Sequence, residues 1–181
     1  MLTPPFGVVL AGGAATRLPG KPLLELRGRP LISYPLGALH ELLEDVVVVA
    51  KVPLPGLRTW VEPAQPQHPL CGILHALRSA RGRAVLVCAA DMPAIEAGEL
   101  RLLVAARRLG TKAIVPRAGG RLQPLCALYE AAALRSLEGA PAGAPLTATV
   151  LALEPLVLER ADARPYLNVN TPVELERLSQ T

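Results

Sequence analysis

The stretch FGVVLAGG, residues 6–13, decides the fold of this chain. Its opening residues form a short apolar run with β-branched valines, which predicts a buried strand. The glycine pair that follows lets the backbone turn sharply and lets N–H groups approach a ligand closely. Residues 6–13 therefore predict a strand that ends in a glycine loop.

Short apolar strands and amphipathic helices alternate along the rest of the chain. Strands are predicted at residues 46–49, 59–62, 84–89, 113–115 and 125–129, and helices at 31–44, 71–80, 99–109, 131–137 and 172–178. Between the last two helices, the sequence predicts only a loop of small residues at 139–145. This alternation predicts an α/β fold with a mainly parallel sheet and crossover helices, in one domain spanning residues 1–181.

Length and composition exclude several classes of protein. The 181 residues are 51% hydrophobic, 19% charged and 3% aromatic, which is enough for one domain with a sizeable core. The apolar runs are far shorter than the roughly 18 residues of a membrane span, and no basic segment opens the chain as in a secretory signal. We therefore expect a soluble, cytoplasmic protein without a membrane partner.

Charge and cysteine usage narrow the choice further. The net charge of +4 comes from 19 basic and 15 acidic residues that are spread along the chain, and few aromatic residues are available to stack on bases. We expect no nucleic-acid partner. Cys71, Cys88 and Cys126 lie in separate segments without a CxxC motif, which predicts reduced thiols and neither a disulfide framework nor a zinc site.

Ligands of a parallel sheet bind at the carboxyl ends of its strands. The sequence has three polar features that we expect at such ends. After Leu10, the backbone of Gly12 and Gly13 can approach phosphate oxygens, and Arg17 and Lys21 can supply positive charge. The loop is neither a Walker A sequence nor the GxGxxG fingerprint, so an ordinary turn glycine pair is the alternative interpretation.

The second and third polar features are Asp91, which follows the strand at 84–89, and the pair Asn168 and Asn170. A carboxylate oxygen is a hard ligand that suits Mg²⁺. A turn aspartate and asparagine turn chemistry are the alternatives for these residues. Directly after the asparagines, TPVE at 171–174 has the form of a capping box and predicts the start of the last helix. Together the three features predict a nucleotide and metal site.

Several motifs now resemble known families. LAGG at 10–13 with Arg17, KPLL at 21–24 and GRPLI at 28–32 resemble the opening signature of the sugar-nucleotidyltransferase-like superfamily. The later motifs are similar to those of the molybdenum cofactor guanylyltransferase (MobA) family, and they are PLCGIL at 69–74, ADMP at 90–93, QPL at 123–125 and NVNTP at 168–172.

The resemblance implies a three-layer Rossmann-like α/β fold with a mainly parallel mixed sheet. It also implies transfer of GMP from GTP, with Mg²⁺, to the terminal phosphate of molybdopterin cofactor, with release of pyrophosphate. GTP and molybdopterin cofactor would be the substrates, and transient contact with molybdopterin-delivering proteins or molybdoenzymes would be expected.

Site residues follow from the same resemblance. Arg17, Lys21 and Asp91 would be catalytic, with Arg17 and Lys21 holding the phosphates and Asp91 binding the Mg²⁺ ion. The residues that would contact the substrates are Leu10, Ala11, Gly12 and Gly13 beside the nucleotide, Gly72 near its base or ribose, and Asn168 and Asn170 on the side facing the pterin.

The chain also departs from the family pattern. The spacing between Arg17 and Lys21 is shorter than usual, and the stretch 138–150 is short. Lys51 and Glu62 are the nearest candidates for an asparagine after the second strand and an acidic residue before the PLxG motif. A molybdopterin cytidylyltransferase or a guanylyltransferase acting on cobinamide phosphate fits the same motifs. A non-catalytic nucleotide-binding regulator is disfavoured, because it would not need the metal ligand.

Overall fold

The computed structural model describes residues 2–12, 21–141 and 143–180 of the chain. Its strands are β1 (Phe6–Leu10), β2 (Glu25–Leu26), β3 (Arg29–Pro30), β4 (Val46–Ala50), β5 (Thr59–Val61), β6 (Val85–Ala89), β7 (Ala113–Ala118), β8 (Arg121–Leu122), β9 (Cys126–Tyr129) and β10 (Leu156–Arg160). Its helices are α1 (Ser33–His40), α2 (Pro69–Ser79), α3 (Ala97–Ala105), α4 (Ala133–Glu138), α5 (Leu146–Leu151) and α6 (Pro172–Gln180). Short 3-10 turns lie at Lys21–Leu23 and Arg164–Tyr166.

One mixed sheet forms the centre of the fold, in the order β10-β7-β9-β6-β1-β4-β5, with β8 paired to β7. β1 pairs in parallel with both β4 and β6, and β5 and β10 are also parallel to their neighbours. β9 is antiparallel to β6 and β7. The mainly parallel mixed α/β sheet expected from the sequence is confirmed.

The two faces of the sheet are covered by different helices, which gives three layers. On one face, Leu39 of α1 and Leu100 of α3 pack with the buried Val48. On the other face, Ile73 of α2 and Leu137 of α4 pack with alternate residues of the same strands. Both faces are buried, which is why β4 and β6 are continuous apolar runs and not alternating ones.

Several helices begin or end at residues other than those predicted from the sequence. α1 ends at His40 and not at residue 44, because the chain must turn before entering β4; the N–H of Leu42 bonds to the carbonyl of Leu39 at 3.0 Å in that turn. α2 begins earlier than expected, at Pro69, and α3 ends earlier, at Ala105. α5 and β10 were not predicted at all.

Cys71, Cys88 and Cys126 all lie within the described residues and are free thiols. No helix in the described ranges has the length and apolar character needed to cross a membrane.

Candidate active site

A cavity of about 380 Å³ opens at the edge of the sheet where the parallel strands end. β1, β4 and β6 all run toward this edge, and the antiparallel β9 begins there. The predicted site residues that line the cavity are Leu10, Ala11, Gly12, Lys21, Gly72, Asp91 and Asn168. Gly13 and Arg17 lie outside the described residues. The structure thus brings the remaining predicted residues to one place, while their roles stay predictions.

An ion pair and two amide side chains form a polar cluster at one end of the cavity. The ammonium of Lys21 contacts Oδ2 of Asp91 and donates a hydrogen bond to Oδ1 of Asn170 at 3.0 Å. Nδ2 of Asn168 donates to Oδ1 of Asp91 at 2.9 Å. The N–H of Val169 donates to the backbone carbonyl of Asp91 at 2.9 Å. Asp91 is therefore held by partners on both carboxylate oxygens and on its main chain.

The capping box before α6 places the two asparagines. Oε2 of Glu174 accepts hydrogen bonds from the N–H groups of Asn170 at 2.6 Å and Thr171 at 2.9 Å. In return, the N–H of Glu174 donates to Oγ1 of Thr171 at 3.2 Å. The N–H of Asn170 is the largest cause that lowers the pKa of Glu174. The capping box predicted from the sequence is therefore present, and its Glu174 binds the main chain of Asn170, which Lys21 contacts.

A second network anchors the segment that leads into the asparagines. Arg160, at the end of β10, forms two hydrogen bonds with the carboxylate of Glu99 on α3, each at 2.8 Å. Tyr166 donates to Oε2 of the same carboxylate at 2.5 Å. The Arg160 guanidinium holds the pKa of Glu99 below its ordinary value, and burial raises the pKa of Tyr166. Both shifts favour an ionised Glu99 and a protonated phenol.

The other end of the cavity contains a carboxylate that is missing from the predicted set of site residues. Glu62 follows directly after β5 and is only 5% exposed. Its Oε2 has no hydrogen-bond partner within the described residues, and its Oε1 lies 3.4 Å from the ammonium of Lys51. A Cβ atom built on Gly12 would lie 1.8 Å from Oε1 of Glu62, and one built on Gly72 would lie 3.7 Å from its Oε2. Gly12 therefore leaves the space that this carboxylate occupies, whereas a Cβ at Gly72 would only be in ordinary contact with it.

The start of α2 forms the wall next to Glu62. His68 is the N-cap residue, and its Nδ1 accepts a hydrogen bond from the N–H of Leu70 at 3.2 Å. Because Nδ1 is an acceptor, the neutral imidazole carries its proton on Nε2. Pro69 occupies the first helical position, where its missing N–H costs nothing.

The residues at Asp91 fit a magnesium ion. Within the described ranges, no group of three or more His, Cys, Asp or Glu residues is placed to hold a metal ion. Mg²⁺ does not need one, because it keeps several waters and binds through one or two carboxylates and substrate phosphates. The carboxylate of Asp91 lines the cavity, where it could share such an ion with the phosphates of a bound nucleotide.

Comparison with known proteins shows the family to which this chain belongs. The sequence model of the MobA-like NTP transferase domain matches residues 7–155. The chain therefore belongs to the MobA-like NTP transferase family and is a nucleotidyltransferase.

Individual relatives of this chain support the same family. The chain is 36% identical over 137 residues to the probable molybdenum cofactor guanylyltransferase of Pelotomaculum thermopropionicum, over 73% of this chain and 66% of that protein. It is 33% identical to the molybdenum cofactor guanylyltransferase of Cereibacter sphaeroides, over 95% of this chain and 94% of that protein. The crystal structure of molybdopterin-guanine dinucleotide biosynthesis protein A from Archaeoglobus fulgidus has the same fold, with a TM-score of 0.76, 23% identity and 96% of each chain covered.

Proposed function

We propose that this chain transfers GMP from GTP to the terminal phosphate of molybdopterin cofactor and releases pyrophosphate, in the presence of Mg²⁺. The names of its relatives support the substrates. The observation that carries the proposal is the layout of one cavity, which has a buried, partly unpaired carboxylate at Glu62 and a cationic group with a metal ligand at Lys21 and Asp91. In this proposal, the Glu62 end would hold the base of the nucleotide and the Lys21–Asp91 end would hold its phosphates.

Glu62 suits a base that offers hydrogen-bond donors. An ionised carboxylate only accepts hydrogen bonds, and guanine presents N1–H and N2–H₂ side by side on one edge. Glu62 lines the cavity, and its buried Oε2 has no hydrogen-bond partner within the described residues, which costs about 1–3 kcal/mol for an unpaired buried acceptor. A guanine edge placed there would satisfy it. Adenine is disfavoured, because its N1 would place an acceptor against the carboxylate.

Lys21 and Asp91 suit the phosphates. In the transfer, a phosphate oxygen of the acceptor attacks the α-phosphorus of GTP, the bond to the bridging oxygen of the β-phosphate breaks, and pyrophosphate leaves. The ammonium of Lys21 would neutralise negative charge on the departing phosphates. Asp91 would hold Mg²⁺, which supplies further charge neutralisation and alignment when bound. No covalent protein intermediate is needed, so no side chain of the cavity has to act as a nucleophile.

In this proposal, Asn168 and Asn170 would face the acceptor. Asn168 orients the Asp91 carboxylate through a hydrogen bond at 2.9 Å, and Asn170 orients the Lys21 ammonium at 3.0 Å. Their role in this proposal is to hold both charged groups in place while the acceptor phosphate approaches.

A cytidylyltransferase is the second candidate, and the same carboxylate favours it. Cytosine carries one amino donor, N4–H₂, which Glu62 could accept. Guanine offers two adjacent donors to the same group and is therefore preferred. Guanylyl transfer to cobinamide phosphate would use the same nucleotide and differs only in the acceptor.

Pyrophosphate release tests the proposal. The purified chain is mixed with Mg²⁺, each of the four nucleoside triphosphates and one acceptor at a time, with molybdopterin cofactor and cobinamide phosphate as acceptors. The proposal predicts release with GTP and molybdopterin cofactor. Release with CTP would assign a cytidylyltransferase, release only with cobinamide phosphate would change the acceptor, and no release under any combination would contradict the proposal.

A further inference from the structure

Lys21 and Asp91 bind each other at one end of the cavity, although the proposed function gives them different partners. The ammonium of Lys21 contacts Oδ2 of Asp91, and the two side chains are only 15% and 17% exposed. The proposed function assigns the ammonium to nucleotide phosphates and the carboxylate to Mg²⁺. Binding of these partners therefore has to change the ion pair.

Each oxygen of the Asp91 carboxylate already has a partner. Oδ2 faces the ammonium of Lys21, and Oδ1 accepts a hydrogen bond from Nδ2 of Asn168 at 2.9 Å. A magnesium ion bound to this carboxylate would lie next to the ammonium. The two positive charges would repel each other, and in a half-buried site water screens this repulsion less than in bulk. Contact between the ammonium and Asp91 therefore opposes metal binding.

The second partner of Lys21 is neutral. Its ammonium donates to Oδ1 of Asn170 at 3.0 Å, and the main-chain N–H of Asn170 donates to Glu174 at 2.6 Å. An ammonium has three N–H donors, so its contacts with Asp91 and Asn170 leave one for a further acceptor. Because the amide of Asn170 carries no charge, an ammonium that leaves Asp91 needs another anion, and nucleotide phosphates are such anions.

The surrounding contacts indicate which of the two charged groups moves. Asp91 is fixed by the amide of Asn168 and by the N–H of Val169, which donates to its main-chain carbonyl at 2.9 Å. Lys21 carries its charge on a flexible four-carbon side chain. A change of partners therefore requires only a rotation of the lysine side chain.

We propose that Lys21 is the internal counterion of Asp91, and that Mg²⁺ and the nucleotide phosphates replace this ion pair together, which rests on the proposed function. Lys21 turns to the phosphates, and Asp91 becomes available to the metal. Each of the two ligands removes the obstacle to the other, so metal and nucleotide bind cooperatively and reciprocally. The ion pair thereby disfavours binding of a metal ion alone.

The first measurement is the affinity for Mn²⁺ without any nucleotide, read from the electron paramagnetic resonance of the free ion. Mn²⁺ replaces Mg²⁺ because it is paramagnetic and prefers the same oxygen ligands. The chains compared are the parent, Lys21→Met, Asp91→Asn and the double variant. Lys112→Met is the matched control, because Lys112 donates to Ser136 at 3.1 Å in an exposed position outside the cavity lining.

We expect Lys21→Met to bind Mn²⁺ about tenfold more tightly than the parent, a factor within the usual range for coupled binding events. Lys112→Met should match the parent. In the Asp91→Asn background, Lys21→Met should give no gain, because the carboxylate that the ammonium neutralises is gone. Parent-like or weaker Mn²⁺ binding by folded Lys21→Met would overturn the proposal.

The second measurement needs no substitution of Lys21. The chain contains only three lysines, Lys21, Lys51 and Lys112, so lysine labelled with ¹⁵N at Nζ gives three side-chain signals by NMR. Lys51→Met and Lys112→Met assign the signal of Lys21 by elimination. We expect this signal to shift when GTP and Mg²⁺ are added together and to stay nearly in place with Mg²⁺ alone, while the signal of Lys112 remains unchanged.

A Lys21 signal that does not respond to GTP and Mg²⁺ would indicate a permanent ion pair and overturn the proposal. Neither measurement involves transfer, so the two proposals fail separately. A chain that shows the exchange but releases no pyrophosphate with any acceptor contradicts the proposed function alone. Pyrophosphate release by a chain whose Lys21 signal does not move contradicts the exchange alone.

Discussion

The side-chain amide of Asn168 donates a hydrogen bond at 2.9 Å to the carboxylate of Asp91, which lies 77 positions earlier in the chain. The N–H of Val169 also bonds to the main-chain carbonyl of Asp91. These contacts join the end of β6 to the segment before α6. Lys21, 70 positions before Asp91, completes the group from the opposite end of the sequence. The phosphate end of the proposed site therefore forms only when both ends of the chain are in place.

Removing the ammonium of Lys21 should impair transfer more than folding. Lys21→Ala deletes a charge-assisted contact to the phosphates, so kcat/KM for GTP should fall by about tenfold or more. The melting temperature should change less than the kinetics, because the amide of Asn168 still binds the Asp91 carboxylate when the ammonium is gone. Lys112→Ala is the control and should keep the parent kinetics. Parent kinetics in Lys21→Ala as well would remove Lys21 from the phosphate site.

A methyl group at Gly12 should displace Glu62. Gly12→Ala places a Cβ 1.8 Å from Oε1 of Glu62. Because the clash is with the end of a flexible side chain, we expect the carboxylate to move and the affinity for GTP to fall by about tenfold or more. Gly98→Ala in α3 is the control, since its Cβ would meet no atom within 4 Å. It should keep GTP affinity and raise stability by up to about 1 kcal/mol. Equal GTP affinity in both variants would contradict the placement of Glu62 in the base site.

The Glu99 network should make stability depend on acidic pH. Arg160 lowers the pKa of Glu99, so its contribution to the free energy of unfolding is present above the ordinary glutamate value of about 4.3. That contribution is lost as the pH falls through the lowered value. Glu99→Gln should therefore be less stable than the parent by about 1–2 kcal/mol at pH 7, with the difference shrinking below about pH 4.

Urea unfolding from pH 7 to pH 3 measures this difference. The exposed Glu96, which makes no side-chain cap bond at the start of α3, provides the matched control variant Glu96→Gln. A difference between parent and Glu99→Gln that stays constant with pH would contradict the role of the Glu99 charge.

The capping box should stabilise α6 through a single hydroxyl oxygen. Thr171→Ala removes the acceptor for the N–H of Glu174 and should cost about 1 kcal/mol, whereas Thr171→Ser keeps the oxygen and should cost less. Thermal unfolding of the two variants measures this. If serine and alanine destabilise the chain equally, the hydroxyl is not the source of the effect.

The strongest sequence signals were local ones. β1, β4 and β6 were predictable because each is an uncharged run rich in β-branched residues, and Asp91 was predictable as a site candidate because it follows such a run. The capping box was equally readable, since its partners are three residues apart.

Features that depend on distant contacts were missed. β10 is half-buried at the edge of the sheet, so its residues lack the continuous apolar pattern of the central strands. α5 has only six residues, which is too short for a clear helical period. The burial of Glu62 arises where the ends of β1 and β5 meet the start of α2, and nothing in its sequence neighbours shows it.

The Asp91→Asn variant tests the central claim most directly. Asparagine keeps the size of the side chain and can still accept the bond from Asn168, but it lacks the negative charge that strengthens binding of Mg²⁺. Pyrophosphate release from GTP with molybdopterin cofactor is measured over a range of Mg²⁺ concentrations, together with the melting temperature. We expect turnover to fall by about a hundredfold or more with the melting temperature nearly unchanged. Full turnover with an unchanged Mg²⁺ requirement would contradict the account, as would a loss of activity that follows a large drop in melting temperature.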